Sequence, residues 1–277
     1  MRFAILSDIH GNIYALKEAF KKIEDISIDQ IILCGDYITD VPRANEVIDF
    51  LREIKNKFPT YIIKGNREEK VLSYENKQEE IMINDQNIFY TYKSLTNENL
   101  EFIKTLPDSH VIENDNIPKI FVSHVRNYSD GLDCKYKIFG HSHRQHIFSR
   151  DGIKYINPGS IGLPTDGDPR LKFCILTIEE DLETIEMFSI KYDYEKAMKD
   201  LENAEISKNG IKWGLAVKKL IETGIDYPRM YLDEVVKIAK EYGIETSRDK
   251  LPIDIWNEAR RSLKINWKAA YYVNNKN

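Results

Sequence analysis

Cysteine, long apolar runs and excess positive charge are all scarce in this 277-residue chain, and each scarcity narrows its class. The three cysteines, Cys34, Cys134 and Cys174, form no C-x-x-C pair and leave an odd number. That argues against both a disulfide framework and a thiolate zinc site, and they read as buried or incidental thiols. No segment approaches the roughly 20 consecutive apolar residues of a membrane helix. The opening run Met1 to Leu6 is interrupted by Asp8 and His10 far short of a signal core, and no small-residue cleavage site follows. The expectation is a cytoplasmic protein. With 40 Lys and Arg against 45 Asp and Glu, the formal charge is -5. No basic stripe with interleaved aromatics appears, so long nucleic acid is a poor partner. A small phosphate-bearing substrate stays open, because a bound metal can dominate the charge of a pocket.

What is present is a soluble globular composition, 42% apolar and 31% charged. Arg2 to Ser7 reads as a buried strand, and Gly11 to Ile26 as a helix with Ile13, Leu16, Ala19, Phe20 and Ile23 on one face. The pattern repeats with a strand at Gln30 to Cys34, the turn Gly35-Asp36 and a helix over Arg43 to Phe58. It comes a third time with Thr60 to Lys64, the turn Gly65-Asn66-Arg67 and a helix from Glu68. Three such units predict a layered α/β domain with parallel strands whose C-terminal ends share one edge.

From Asp85 the rhythm changes. Asn87 to Tyr92 reads as extended and Asn97 to Thr105 as helical. Strands follow at Ser109 to Ile112, Lys119 to Ser123, Tyr136 to Phe139, Gln145 to Ser149, Ile153 to Asn157, Lys172 to Ile178 and Thr184 to Ile190. A second sheet packed on the first is the economical arrangement. Beyond a boundary near Asp193, helical periodicity runs through Tyr194 to Ala204, Gly214 to Thr223, Met230 to Tyr242 and Ile253 to Ala270, punctuated by Gly224, Pro228, Gly243 and Pro252. The expected division is therefore residues 1–192 and a helical extension over 193–277. The extension has no His or Cys and reads as a cap or an oligomerisation element, with a role in substrate access as the alternative. Trp256, Tyr271 and Tyr272 read as core or interface.

Polar residues at strand ends carry the chemistry: Asp8, His10, Asp36, Asn66, His124, His141 and His143. Imidazole, carboxylate and amide oxygen without thiolate suit borderline or hard divalent ions such as Mn, Fe or Zn. Seven groups are too many for one ion with an open position. They suffice for two ions sharing a carboxylate, the arrangement of a two-metal hydrolytic clamp.

Asp8-Ile9-His10, Gly35-Asp36, Gly65-Asn66, Ser123-His124 and Gly140-His141-Ser142-His143 resemble, in order, the five motifs of the calcineurin-like metallophosphoesterases. Asn157-Pro158-Gly159-Ser160 and Gly167-Asp168-Pro169-Arg170 further resemble the compact bacterial and archaeal branch that includes small phosphodiesterases. The resemblance spans about residues 1 to 192. It implies two packed β-sheets flanked by helices, the four-layer α/β sandwich of that family, here with an all-helical C-terminal extension. It implies two divalent ions, Mn first with Fe, Zn or Ni as alternatives. Asp8, His10 and His143 would hold one, Asn66, His124 and His141 the other, and Asp36 would bridge them. A hydroxide between the metals would attack a phosphate mono- or diester, with Asp36, Asn66, Arg67 and His124 as the catalytic set.

Many family members carry His directly after the Gly-Asn pair, where this chain has Arg67. Arginine stays protonated and cannot be the general acid. Its fork of donors suits a phosphoryl oxygen, and the competing reading is an ion pair with Glu68, Glu69 or another carboxylate. The change tilts the expected substrate towards esters with good leaving groups. Asn12 reads as either a phosphate donor or the cap of the following helix. Asp40 reads as a turn or cap residue, and His110 and His146 as structural. Arg126 and Arg144 follow ligand histidines and are candidates to face the pocket. Alternative functions are a non-catalytic interaction scaffold of the same fold and a nucleotide hydrolase or nuclease.

Overall fold

A computed structural model describes residues 1–76, 86–126, 131–180, 182–208, 212–245, 250–265 and 267. Strands β1 (Arg2–Leu6), β2 (Gln30–Leu33) and β3 (Thr60–Ile62) are parallel. With β4 (Ser109–Asn114), β5 (Ile117–Ser123), β6 (Tyr136–Ile138), β7 (Gln145–Arg150), β8 (Ile153–Pro158), β9 (Leu171–Ile178) and β10 (Glu183–Ile190) they make up two mixed five-stranded sheets, with orders β10-β9-β1-β2-β3 and β4-β5-β6-β8-β7. In the second sheet β5, β6 and β8 are parallel, and β4 and β7 are antiparallel edges.

Strand β1 shows why its sequence is apolar from Phe3 to Leu6. Side chains alternate across a sheet, so Phe3 and Ile5 face the second sheet, in a core shared with Ile120, Val122, Ile138 and Ile156. Ala4 and Leu6 face the opposite way, towards the helices α1 (Ile13–Glu24) and α2 (Ala44–Lys57). A strand covered on both faces has no position left for a polar residue. The polar residues therefore begin where the strands end, with Ser7 and Asp8 after β1, Gly35 and Asp36 after β2, and Gly65 and Asn66 after β3. The third of these turns leads into α3 (Asn66–Leu72).

One element departs from expectation. Asn87 to Tyr92 lies within a helix, α4 (Gln86–Ser94), not a strand. The aromatic and β-branched composition of Ile88 to Tyr92 favours extended structure. However, Ile88, Tyr92 and Leu95 recur at helical spacing and pack into the core that holds α1, α2 and α5 (Asn97–Lys104). Tertiary burial outweighs the local preference.

The C-terminal helices are α6 (Glu195–Asn203), α7 (Glu205–Lys208), α8 (Trp213–Thr223), α9 (Tyr227–Glu241) and α10 (Ile253–Ser262). The last ends at Ser262, earlier than its periodicity suggests. Residues 268–270, and Tyr271 and Tyr272, lie outside the described residues. Leu201, Val217, Val235, Trp256 and Ala259 form a separate apolar core that also takes in Val41 and Leu163. Those two residues come from loops at the strand ends, so the helices sit directly on the edge where the polar turns gather. No helix among the described residues is long and apolar enough to cross a membrane.

Candidate metal centre

The turns are woven into one another by backbone hydrogen bonds. Asp8 N–H donates to Gly35 O, and His10 N–H to Asp36 O, at 3.1 and 3.0 Å. Gly140 N–H donates to His124 O at 3.0 Å, and Gly162 N–H to Asp8 O at 3.0 Å. Gly35 is required twice over: its φ is +92°, and an added Cβ would lie 2.6 Å from Gly65 N. Among the described residues ten non-glycines have positive φ, and seven of them belong to this edge: Asp8, His10, Asp36, Thr39, Asp40, His141 and His143. Such conformations cost of order 1 kcal/mol each, so their concentration here needs specific compensation.

Glu68 supplies much of it. Its buried carboxylate accepts from Gly65 N–H (2.8 Å), Asp36 N–H (2.9 Å), Tyr37 N–H (2.8 Å) and Ile38 N–H (3.3 Å). It therefore ties the second turn to the third and is not the ion-pair partner of Arg67. Asn157 braces the fifth motif by donating to Gly140 O at 2.6 Å and to Ser142 Oγ at 3.1 Å. Ser160 donates to Asp8 O at 2.6 Å. The Asn157 to Ser160 loop thus lies behind the turns and supports them.

All seven strand-end residues come together. His10 Nε2 and His143 Nε2 face each other at 3.1 Å. Asp8 Oδ1 is 3.3 Å from His143 Nε2 and 4.0 Å from His10 Nε2. Beside them, Asn66 Oδ1 is 3.1 Å from His124 Nε2 and 2.8 Å from His141 Nδ1. Asp36 lies between the two groups. Its Oδ2 is 3.3 Å from His124 Nε2 and 3.7 Å from His10 Nε2, while its Oδ1 accepts from Arg67 N–H at 2.8 Å. Two clusters result that share Asp36: Asp8, His10, Asp36 and His143, and Asp36, His124 and His141.

The outward ring nitrogens determine what the inward ones can do. His124 Nδ1 lies 2.7 Å from Cys34 O, His143 Nδ1 2.6 Å from Leu163 O, and His10 Nδ1 2.8 Å from an Asp40 carboxylate oxygen. Each Nδ1 must carry a proton to donate, which leaves each Nε2 as a lone pair in the neutral ring. Those lone pairs face one another and the oxygens of Asp8, Asp36 and Asn66, so acceptors are packed against acceptors. Only cations relieve that arrangement, and the donor set fits borderline divalent ions.

Protons on the imidazoles relieve the same crowding. Burial disfavours a charged His124, but the neighbouring Asp36 carboxylate outweighs it and pushes the imidazole up to about 10. Burial likewise opposes charge on His143, and Asp8 overrides it and raises that ring. Burial would raise Asp8 and Asp36, yet His143 and His124 respectively hold both below the usual carboxylate range. His10 and His141 are both shifted down, first by burial. Burial, then the charge of Asp36, push Glu68 up to about 7 against its backbone donors.

Arg67, the second residue of α3, lies beside the centre, with 24% of its side chain exposed and its guanidinium 3.9 Å from both Asp36 Oδ2 and Asp40 Oδ2. It lines a cleft of about 220 Å³ together with His10, His141 and His143 on one side and Trp213 and Leu220 of the C-terminal helices on the other. Asp40 is neither ligand nor helix cap. It is 3% exposed and holds His10. Asn12 caps α1 by accepting from Ala15 N–H, and its amide donates to Gly162 O and the Tyr192 hydroxyl. Arg126 lies over the rings of Phe139 and Phe148, His146 stacks on Phe148, and His110 packs on Tyr61. The Arg144 residue is exposed. Asp40, Glu68 and Trp213 are the site's unforeseen residues. Only Glu68 had a local signal, three positions after Gly65 where a helix's third residue reaches back to cap it.

Comparisons with known proteins agree with this architecture. The model of the calcineurin-like phosphoesterase superfamily domain matches residues 1–181. An uncharacterized protein of Methanocaldococcus jannaschii is 30% identical over 225 residues, 70% of this chain and 89% of its own length. The phosphodiesterase YfcE of Escherichia coli is 21% identical over 183 residues, 61% of this chain and 84% of its own. A metallophosphoesterase from Sphaerobacter thermophilus superposes with a TM-score of 0.63 at 20% identity, covering 81% of this chain and 99% of that one. A hypothetical protein from Pyrococcus horikoshii gives 0.65 at 18% identity, covering 80% and 98%. The structural likenesses establish the fold. With the family match spanning well over half the chain and all of the converging turns, the chain belongs to the calcineurin-like phosphoesterase superfamily.

Proposed function

We propose that the chain is a two-metal phosphoesterase acting on a small phosphate ester. The observation that carries this reading is the set of inward lone pairs, with the rings of His10, His124 and His143 each fixed by a donor bond on the far side. Asp8, His10 and His143 would hold one divalent ion, Asn66, His124 and His141 the other, with Asp36 shared. Mn is the first ion to try, then Fe, Zn or Ni. When bound, such ions supply an activated water at neutral pH and neutralise charge on the phosphoryl oxygens.

The remaining roles belong to the protein's own side chains. Asp36 Oδ2 faces imidazoles of both groups, while its other oxygen is fixed by Arg67 N–H, so the shared atom has one orientation. Asn66 presents its carbonyl oxygen to His124 and His141. The guanidinium of Arg67, at the cleft, would bind a phosphoryl oxygen and stabilise charge as it develops. The cleft volume of about 220 Å³ lies below the usual range for drug-sized ligands, which favours a compact ester over nucleic acid. The phosphodiester activity in the name of YfcE makes a diester the first substrate class to assay. Residues 1–192 form the catalytic unit in this reading, and 193–277 an extension that shapes access to it in a cytoplasmic enzyme.

Elemental analysis should find close to two transition-metal equivalents per chain. Chelation should abolish hydrolysis of a chromogenic bis-aryl phosphate, and Mn should restore it. Full activity of Asp36→Ala with no metal bound would sink the mechanism.

A further inference from the structure

Asp40 is held from two sides. Its Oδ2 accepts from His10 Nδ1–H at 2.8 Å and from the Thr39 hydroxyl at 2.9 Å. Its Oδ1 accepts from Trp213 Nε1–H at 2.7 Å and from the Asn87 amide at 3.1 Å. A carboxylate has about four acceptor positions, so these donors leave it a single orientation. Two come from the turns after β1 and β2, beside the metal centre. The other two come from α4 and from the first residue of α8, more than 170 residues further along the chain.

The three anchored imidazoles differ in what holds them. His124 and His143 rest on backbone carbonyls, of Cys34 and Leu163. Those cannot be re-aimed without moving the fold. His10 rests on a side chain, and that side chain is aimed in turn by the indole of Trp213. The indole lies outside residues 1–181, the part matched by the family.

We propose that Trp213 is a positioning residue for His10, acting through Asp40, so that the C-terminal helices set the affinity of the ion that His10 would hold. The inference rests on the two-metal reading above. Losing the indole N–H removes one of the two donors that fix Asp40 Oδ1 and loosens the carboxylate that keeps the His10 proton on Nδ1. The His124 group has no such dependence, because Cys34 O braces it.

The test is calorimetric titration of the metal-free, full-length chain with Mn²⁺, resolving two binding events. Trp213→Phe keeps a ring but loses the N–H, and should weaken one event by about 3- to 10-fold, the worth of one hydrogen bond, leaving the other unchanged. Asp40→Asn should weaken that same event by about 10- to 100-fold. Trp213→His places its Nε2–H where the indole N–H lies and should recover much of the affinity lost in the Phe variant. Val235→Ala, buried in the same helical core but with no part in the bonds that hold Asp40, should lower Tm and leave both events unchanged. Wild-type affinity in Trp213→Phe, equal losses in the Phe and His variants, or a Val235→Ala loss matching Trp213→Phe would each overturn the proposal while leaving the two-metal reading intact. Absence of Mn²⁺ binding by the wild-type chain would overturn both.

Discussion

Replacing Glu68 with Ala is the sharpest test of how the turns are held, because Glu68 is not a metal-ligand candidate and its side chain is fully buried. The substitution strips the acceptor from four backbone N–H groups, three of them bonded at 2.8–2.9 Å. At roughly 1 kcal/mol net per bond, their sum is about 4 kcal/mol. Part of that gain is offset in the native protein, since burial and the charge of Asp36 push the carboxyl up to about 7. Water entering the space left by the side chain offsets more. The expected loss is therefore about 2–3 kcal/mol, or roughly 4–12 °C in Tm for a chain of this size. Urea unfolding of the metal-free protein, followed by circular dichroism, measures it with an unchanged slope against denaturant. Mn²⁺ binding should weaken at the same time, because Glu68 sets the separation of Asp36 from Asn66. A loss below about 0.5 kcal/mol with Mn²⁺ binding intact would refute the reasoning.

Metal loading should release protons. His124 is held at about 10 in the metal-free protein, above its unfolded value, so the stability contributed by its charge is complete below about 6.5 and disappears as pH rises through about 10. A metal must displace that proton, so affinity should climb with pH across this window. Titrations in buffers of different ionisation enthalpy should then show at least about one proton released per chain, and no release would contradict the His124 assignment. Arg67→Ala should lower kcat/KM for the bis-aryl ester on the order of 10²-fold, with Arg67→Lys in between. An unchanged kcat/KM in Arg67→Ala would reject the phosphate clamp.

The edge where the polar turns gather was legible in the sequence because strands buried on both faces leave no other place for polar residues. Asp8 follows Phe3 to Leu6, and Asp36 follows Ile31 to Leu33, so period and polarity alone place them at strand ends. The segment from Ile88 to Tyr92 was misread because aromatic and β-branched residues carry a strand signal, while the helical spacing of Ile88, Tyr92 and Leu95 matters only once a core exists to receive it. Asp40 was illegible for a different reason. A carboxylate in a turn looks the same whether it bonds its own backbone or a ring 30 residues earlier and an indole 173 residues later. Local pattern reports residue type and face. It does not report which distant donor a side chain will meet.

That distinction bears on how the site is divided between binding and support. Seven left-handed non-glycine residues on one edge would relax towards ordinary turns if the ligands were all that held them. Without a metal the ligand candidates attract one another only through the protonated rings of His124 and His143, so the restoring force cannot rest on them alone. It comes from Glu68, Asn157, Ser160 and Asp40, each of which fixes a turn or a ring by bonds pointing away from the centre. The turns are thus held by bonds that need no metal, and their geometry is stored in residues outside the candidate ligand set. Substitutions at these four positions should accordingly resemble ligand substitutions in metal affinity while differing from them in stability. Removing a ligand relieves crowding among acceptors, whereas removing a support releases the strain of the turn it held.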